Sequence, residues 1–332
     1  MKYYIFPFTF TSSVHFGNTS EGGSLDKVQL TISSDTFVSA CVNEIGHNQA
    51  EIEWLLQSLR VDDIKISSLF PFTNLHNQID LFVPRPICEM QKKYISIIDK
   101  DTLLKRVKDQ KKLKKIGYIR VSNLYNKVGA YSPFSTIEEP FFGQYLIAHR
   151  VALCEEKSNP YVVGSFKFTK NAGLYCIVGV KRIEDLDRVK RIFESLSYTG
   201  IGGKRSSGFG QFIVEDEFEL DTIPAYGSDV VALYNLLQQK GSMYMSISAI
   251  TPKIDEINIV SEGTYKLIKR SGFVYSESIS APYKRNSFYA LQEGSCMPYP
   301  LEGQMVELRF DKSPHPIYKN MKGFWLGVNI DE

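Results

Sequence analysis

Apolar and polar positions alternate from the second residue onward. "KYYIFPFTF" (Lys2–Phe10) is aromatic-rich with a period of two, which predicts a strand. Pro7 within it points to a sheet edge or a bulge, because proline has no N–H for the ladder. A long loop follows over residues 11–34, with a Gly-Gly turn at Gly22 and Gly23. "SDTFVSACVNEI" then opens on the cap-type residues Ser34 and Asp35 and sets Phe37, Ala40, Cys41 and Ile45 at helical spacing. "IKISSLFPF" and "DLFVPRP" read as short strands. Leu103–Lys115 is a basic helix candidate whose apolar side is Leu103, Val107 and Leu113.

The pattern sharpens from Tyr145. "YLIAHRVALCEE" and "YVVGSFKF" predict two strands, with a turn signal at Asn159-Pro160 between them. "GLYCIVGV" predicts another strand, and "LDRVKRIFESLSY" an amphipathic helix with Leu186, Val189, Ile192, Phe193 and Leu196 on one face. "FGQFIVEDEF" is the strand after that. Residues 1 to about 220 therefore read as β-α-β … β-α-β, a ferredoxin-like module with a large insertion over about 70–140. The rest opens with the helix "VVALYNLLQQ" and continues in strand-rich runs, a second α+β domain with no internal sequence repeat to show it a copy of the first. The expected boundary divides 1–222 from 223–332.

Composition narrows the function classes. With 332 residues, 43% hydrophobic and 23% charged, the chain is in the range of ordinary globular proteins, and two domains are expected. Lys and Arg number 39 against 37 Asp and Glu, so an anionic partner would have to be met by local clusters and not by a whole-protein field. The five cysteines are scattered and never in C-x-x-C spacing, which fits neither a disulfide framework nor a zinc site. "MKYYIFPFTF" does not read as a signal peptide, and no apolar run approaches transmembrane length. The expectation is a cytoplasmic protein with no membrane partner, no metal and no cofactor.

The densest chemistry lies in "YTGIGGKRSSGFGQF", Tyr198–Phe212. A Walker loop would need Ser or Thr after the Gly-Lys pair and a glycine where Tyr198 stands; Arg205 follows Lys204 here. A dinucleotide fingerprint runs from strand to helix, whereas this loop joins a helix to a strand. "SGFGQFIV" approaches the RNA-recognition-motif signature, but Ser207 replaces the cation and Gln211 interrupts the aromatics. What remains is physical. So many glycines let backbone N–H groups converge, with Lys204 and Arg205 adding charge and Ser206 and Ser207 adding neutral donors. Such a loop suits a phosphodiester backbone, which needs close approach and several donors. The alternative, a tight surface turn with two solvated cations, does not need this density of glycine. A second basic-aromatic stretch, "APYKRNSFYAL", places Tyr283, Lys284, Arg285 and Phe288 together in a pattern that can stack on and neutralise single-stranded RNA.

"GIGGKRSSGFGQF" after the second helix of a ferredoxin-like unit resembles the glycine-rich loop of the RAMP superfamily of CRISPR proteins. "VHFG" leading into "SSDTFVSACVNEI", "LFVPRP" before a Lys-rich segment, and "HPIYKNMKGFWLGV" near the end resemble one branch of it, the fourth subunit of the Csm (type III-A) effector complex. The resemblance runs over nearly the whole chain in order. It implies an α+β fold of two ferredoxin-like (RRM-like, β-α-β-β-α-β) domains and a non-catalytic subunit that binds the 5′ repeat-derived tag of crRNA. It also implies two protein partners, the large polymerase-like Csm subunit and the backbone Csm subunit, and a thumb hairpin for which Leu75–Lys115 is the candidate. Carried onto this chain, the RNA-binding residues are Gly200, Gly202, Gly203, Lys204, Arg205, Ser206, Ser207 and Gly208, with His15 and Gly17 in a facing loop; Lys284 and Arg285 join them. Met321 departs from the pattern, which leads one to expect a small residue there.

The rival from the enzyme class is a metal-independent endoribonuclease of the same superfamily, with histidine as general acid or base. Among His15, His47, His76, His149 and His315, only His15 is expected near the glycine run, and a hydrogen bond to RNA or to its own loop is the simpler role for it. "VEDEFELD" reads as a solvated acidic stretch with no paired-carboxylate metal site. A third reading is a scaffold whose glycine loop packs on protein.

Overall fold

The first strand, Lys2–Phe10, is the pivot of an eight-stranded sheet. The computed structural model describes residues 1–17, 25–75, 78–87, 115–127, 140–154, 157–222, 226–274, 283–308 and 315–329. On one side the strand pairs antiparallel with Ala172–Val180; on the other it meets Phe212–Val214 and Phe218–Glu219. Beyond Ala172–Val180 the sheet continues through Phe70–Leu75, Gln78–Pro84 and Tyr118–Arg120, with Ile64–Ile66 also beside Ala172–Val180. All these pairings are antiparallel, and the fold is α+β. Of the edge or bulge expected at Pro7, the edge is not there, because both sides of this strand are paired. The outer neighbour instead breaks opposite Pro7, between Val214 and Phe218, where Glu215 N–H donates to the Pro7 carbonyl at 3.0 Å. The gap falls where proline has no N–H to give.

Two apolar clusters sandwich the sheet, which is why Ala172–Val180 is buried at every position. Tyr4, Phe6, Phe8, Leu174, Cys176 and Val178 face the helices; Ile5, Tyr175 and Ile177 face the other way. On the helical side, Ile183–Thr199 buries the five residues its periodicity predicted, and Phe193 meets Phe6 and Phe8 edge-on at 5.2 and 5.5 Å. The helix Ser34–Glu44 packs beside it through Phe37, Val38 and Cys41. Its N-cap is Ser33, one residue before the expected caps. Ser34 and Asp35 are buried inside the first turn and are held by distant groups: Ser34 Oγ accepts from Ala249 N–H at 3.2 Å, and Asp35 binds Arg270. A second helix, Gln49–Arg60, was not expected. Its apolar stripe is narrow, with Leu55 and Leu59 buried, and Asn48 caps it by accepting from Glu51 N–H at 3.2 Å.

Gly143–Cys154 and Lys157–Phe168 form one long two-stranded hairpin. Asn159 and Pro160 lie inside its second strand, paired with Ala152 and Val151, and so do not make the turn. A two-stranded ladder leaves each strand an outer edge, where proline is tolerated.

The chain beyond residue 222 covers the other sheet face. The helix Ser228–Gln238 and a three-stranded sheet of Cys296–Met297, Met243–Ser246 and Trp325–Val328 send Val230, Leu233, Met245 and Leu326 into one cluster with Ile5, Phe70 and Tyr175. Two hairpins extend from this layer, Leu267–Arg270 with Phe288–Leu291 and Gly303–Leu308 with Ile317–Lys322. Met321, where a small residue was expected, is fully buried, and the small residues are its neighbours Ala249 and Ala290. Within the expected insertion, Tyr118–Arg120 adds a strand to the sheet and Val121–Lys127 is a short helix. Within the Leu75–Lys115 thumb candidate, residues 76–77 and 88–114 lie outside the described residues, and with them His76 and all of the basic helix candidate except Lys115.

Candidate nucleic-acid interface

Between the glycine loop, the first two helices and the C-terminal hairpins lies a cleft of ≈ 2710 Å³. Small-molecule pockets occupy roughly 300–1,000 Å³, so this one has the size for a segment of polymer. Its lining includes eight Lys and Arg side chains against two carboxylates, Glu44 and Glu53. In a chain of net charge +2, that is a strong local excess.

The first wall is the glycine loop. Gly200 ends its helix at φ 79°, and its N–H donates to the Leu196 carbonyl at 2.8 Å. Three backbone bonds then close the loop onto its surroundings: Ile201 N–H to Gly210 O, Gly203 N–H to His15 O and Gly210 N–H to Ser13 O, at 2.8–3.0 Å. A Cβ at Gly202 would stand 2.8 Å from the His15 carbonyl oxygen, and one at Gly203 2.7 Å from the His15 ring. These glycines thus serve the approach of two protein loops to each other. The Gly203 N–H is already spent on that contact, whereas the amides of Gly202, Lys204 and Ser206 take no part in these bonds. Lys204 sits in the left-handed region at φ 62°, which non-glycine residues visit rarely, and its ammonium lies over the Tyr161 ring at 5.6 Å.

His15 is buried, and its Nδ1–H donates to the Gly164 carbonyl at 2.8 Å. That bond leaves Nε2 as the acceptor nitrogen, on the side of Gly17 and Gly203. Tyr161 and Gly164 both belong to the second strand of the long hairpin, which therefore touches both the His15 loop and the glycine loop.

The opposite wall comes from the C-terminal hairpins. Arg270, Arg285 and Lys319 are all buried there and line the cleft. Arg270 forks onto Asp35 and donates to Thr36 Oγ1 at 2.8 Å. Lys319 Nζ lies 3.8 Å from Asp35 Oδ2 and donates to Ser39 Oγ at 2.8 Å. Burial pushes the Arg270 guanidinium down to about 10 and the Lys319 ammonium well below its ordinary value; Arg270 and Arg285 repel the latter further. Arg285 is also shifted down by burial. Lys269 and Lys284 are exposed beside them, with the Phe273 ring 65% exposed at the edge of the cleft.

The fold therefore gathers on one cleft most of the residues singled out from the sequence: His15, Gly17, Gly200, Gly202, Gly203, Lys204, Arg205, Ser206, Lys284 and Arg285. Ser207 and Gly208 are exposed and are not among its lining residues. His47 and His315 also line it, while His149 is exposed on the long hairpin. Sequence reasoning missed Arg60, Lys269, Arg270, Phe273, Tyr318 and Lys319. "KLIKRSGF" did carry the cation-aromatic signal, but it reads equally as an ordinary strand end. Among the described residues, no three of His, Cys, Asp and Glu converge as metal ligands would, and no helix is long and apolar enough to cross a membrane.

Residues 239–328 match the family model described as the CRISPR Csm4 C-terminal domain. Over 338 aligned residues the chain is 28% identical to the CRISPR system Cms protein Csm4 of Streptococcus thermophilus, covering 99% of this chain and all of that one. It is 25% identical to the protein of the same name from Mycobacterium tuberculosis (strain H37Rv), covering 98% and 97%. Among solved structures, a Csm1–Csm4 cassette in complex with cA4 superposes with TM-score 0.60 at 18% identity, covering both chains fully. A Csm3–Csm4 subcomplex of the type III-A CRISPR-Cas interference complex superposes with TM-score 0.58 at 17% identity, over 99% of this chain and 100% of that one. In its C-terminal family match and in its sequence similarity from end to end, the chain resembles the CRISPR proteins named Csm4.

Proposed function

We propose that this chain is a non-catalytic, RNA-holding subunit of a type III-A CRISPR ribonucleoprotein in the cytoplasm, and that its cleft receives the 5′ repeat-derived tag of crRNA. The observation that carries this is the convergence of three basic or glycine-rich patches, distant in sequence, on one cation-lined cleft. Phosphate contacts by Lys, Arg and backbone amides position a strand without reading its bases. Exposed Phe273 and half-buried Tyr318 offer faces on which bases can stack. The strand order supports reading 1–222 as a ferredoxin-like domain. Phe212–Val214 lies beside the first strand, which lies beside Ala172–Val180 and then Ile64–Ile66, with helices on one face. Residues 223–332 are taken as the second such domain by resemblance. The partners of the Csm4 chains in the superposed structures, Csm1 and Csm3, are the protein partners proposed here, as large subunit and backbone subunit.

His15 supports a positioning role better than a catalytic one, since it is buried and one ring nitrogen is bound to Gly164. The test is nucleic acid carried by the purified complex. Lys204→Ala with Arg205→Ala is expected to strip most of the copurified RNA, read by absorbance ratio and 5′-end sequencing; unchanged RNA would overturn the site. Cleavage of repeat RNA in EDTA by the wild type but not by His15→Ala would overturn the non-catalytic reading.

A further inference from the structure

On the wall opposite the glycine loop three cations are buried, and among the described residues one carboxylate, Asp35, is in direct contact with two of them. Asp35 accepts from Arg270 and lies within ion-pair distance of Lys319. Among the described residues Arg285 has no acid partner of this kind: its Nη2 donates to the Ser271 carbonyl at 2.7 Å. Its Nε is buried with no hydrogen-bond partner among the described residues, and the residue as a whole is only 9% exposed. Native proteins rarely leave a charged donor buried and unmade, and such an orphan calls for a ligand. All three cations line the cleft, so an incoming anion would reach them from there. The neighbours suit an RNA strand, with Lys269 and Lys284 exposed to screen flanking phosphates and Phe273 exposed to stack a base.

We infer that Arg285 and Lys319 form a second phosphate-binding point, across the cleft from the glycine loop, taken by a backbone phosphate of the same RNA strand. The inference rests on the RNA reading of the cleft. One phosphate oxygen accepts from Arg285 Nε–H, and the charge of the group offsets the cations that Asp35, with Glu293 acting on Arg270 from farther off, leaves in excess. The ligand is strand-borne phosphate, held without base readout.

The test uses the full chain and a short fluorescein-labelled single-stranded RNA, titrated across a salt series by anisotropy. Each phosphate contact on a single strand contributes about 0.7 to the slope of log K against log salt. Arg285→Met should weaken binding about tenfold or more and lower the slope by about 0.7. Arg285→Lys should keep the slope while losing affinity, because the charge stays and the Nε–H goes. Phe273→Ala, at an exposed position, should lose affinity at unchanged slope. Equal slopes for wild type and Arg285→Met, with the slope lowered in the Lys204→Ala, Arg205→Ala variant, would overturn the second point and leave the RNA reading standing. No RNA binding by wild type, alone or assembled, would overturn both. Displacement of the RNA by equimolar inorganic phosphate would overturn the strand-borne assignment in favour of a free-phosphate site.

Discussion

Gly202 and Gly208 share a left-handed backbone, φ 93° and 80°, but not a neighbourhood. A methyl at Gly202 would meet the His15 carbonyl oxygen at 2.8 Å, whereas one at Gly208 would meet nothing within 4 Å. Gly208→Ala should therefore cost only the backbone strain, about 1–2 kcal/mol. Gly202→Ala adds a clash with main chain that cannot swing away, and should cost clearly more. Urea unfolding of the two variants checks this, and equal losses would mean that the His15 loop yields. The same pair shows the limit of reading glycines from sequence. A run of glycines announces left-handed or crowded backbone, but whether protein or RNA crowds it depends on what lies across the gap.

Among the elements, the hairpin Gly143–Phe168 has two functions. Its second strand holds the candidate site: Val14 pairs with Phe166, His15 with Gly164, and Lys204 with Tyr161. Its first strand carries Ile147, Val151 and Leu153 exposed on one face, alternating as strand residues must. Contiguous exposed apolar surface of this kind marks interaction or aggregation. Ile147→Lys with Leu153→Lys should improve the solubility of the isolated chain while changing unfolding free energy by less than about 0.5 kcal/mol per substitution. A larger loss would mean that these side chains are covered in the folded chain. The helix Ile183–Thr199 was legible because five apolar residues repeat on one face. Gln49–Arg60 was not, because it buries little and takes its apolar contacts from a partner that local sequence does not reveal.

Across the whole molecule, each half completes the other. The sheet face bearing Ile5, Tyr175 and Ile177 is covered by Val230, Leu233 and Leu326 from beyond residue 222. Asp35 of the first helix is neutralised by Arg270 and Lys319 of the C-terminal hairpins. Leu233, fully buried in this shared cluster, should cost about 2–5 kcal/mol as Leu233→Ala and should destabilise both halves in one cooperative transition. Two separated transitions in calorimetry, with only the later chain affected, would show that the shared cluster is not cooperative.

Local pattern in the sequence was enough to read the elements with strong periodicity, the α+β class, and the glycine loop with its direction from helix to strand. It also marked Lys204, Arg205, Lys284 and Arg285 as cations in unusual company, since local pattern is all that those inferences need. Tertiary structure alone decided that these patches share a cleft, that Pro7 sits in a central strand opposite a gap, and that Asp35 is no cap but the counter-charge of a buried cation cluster. Each of these depends on which residues, hundreds apart in the chain, are pressed together when both faces of one sheet must be buried.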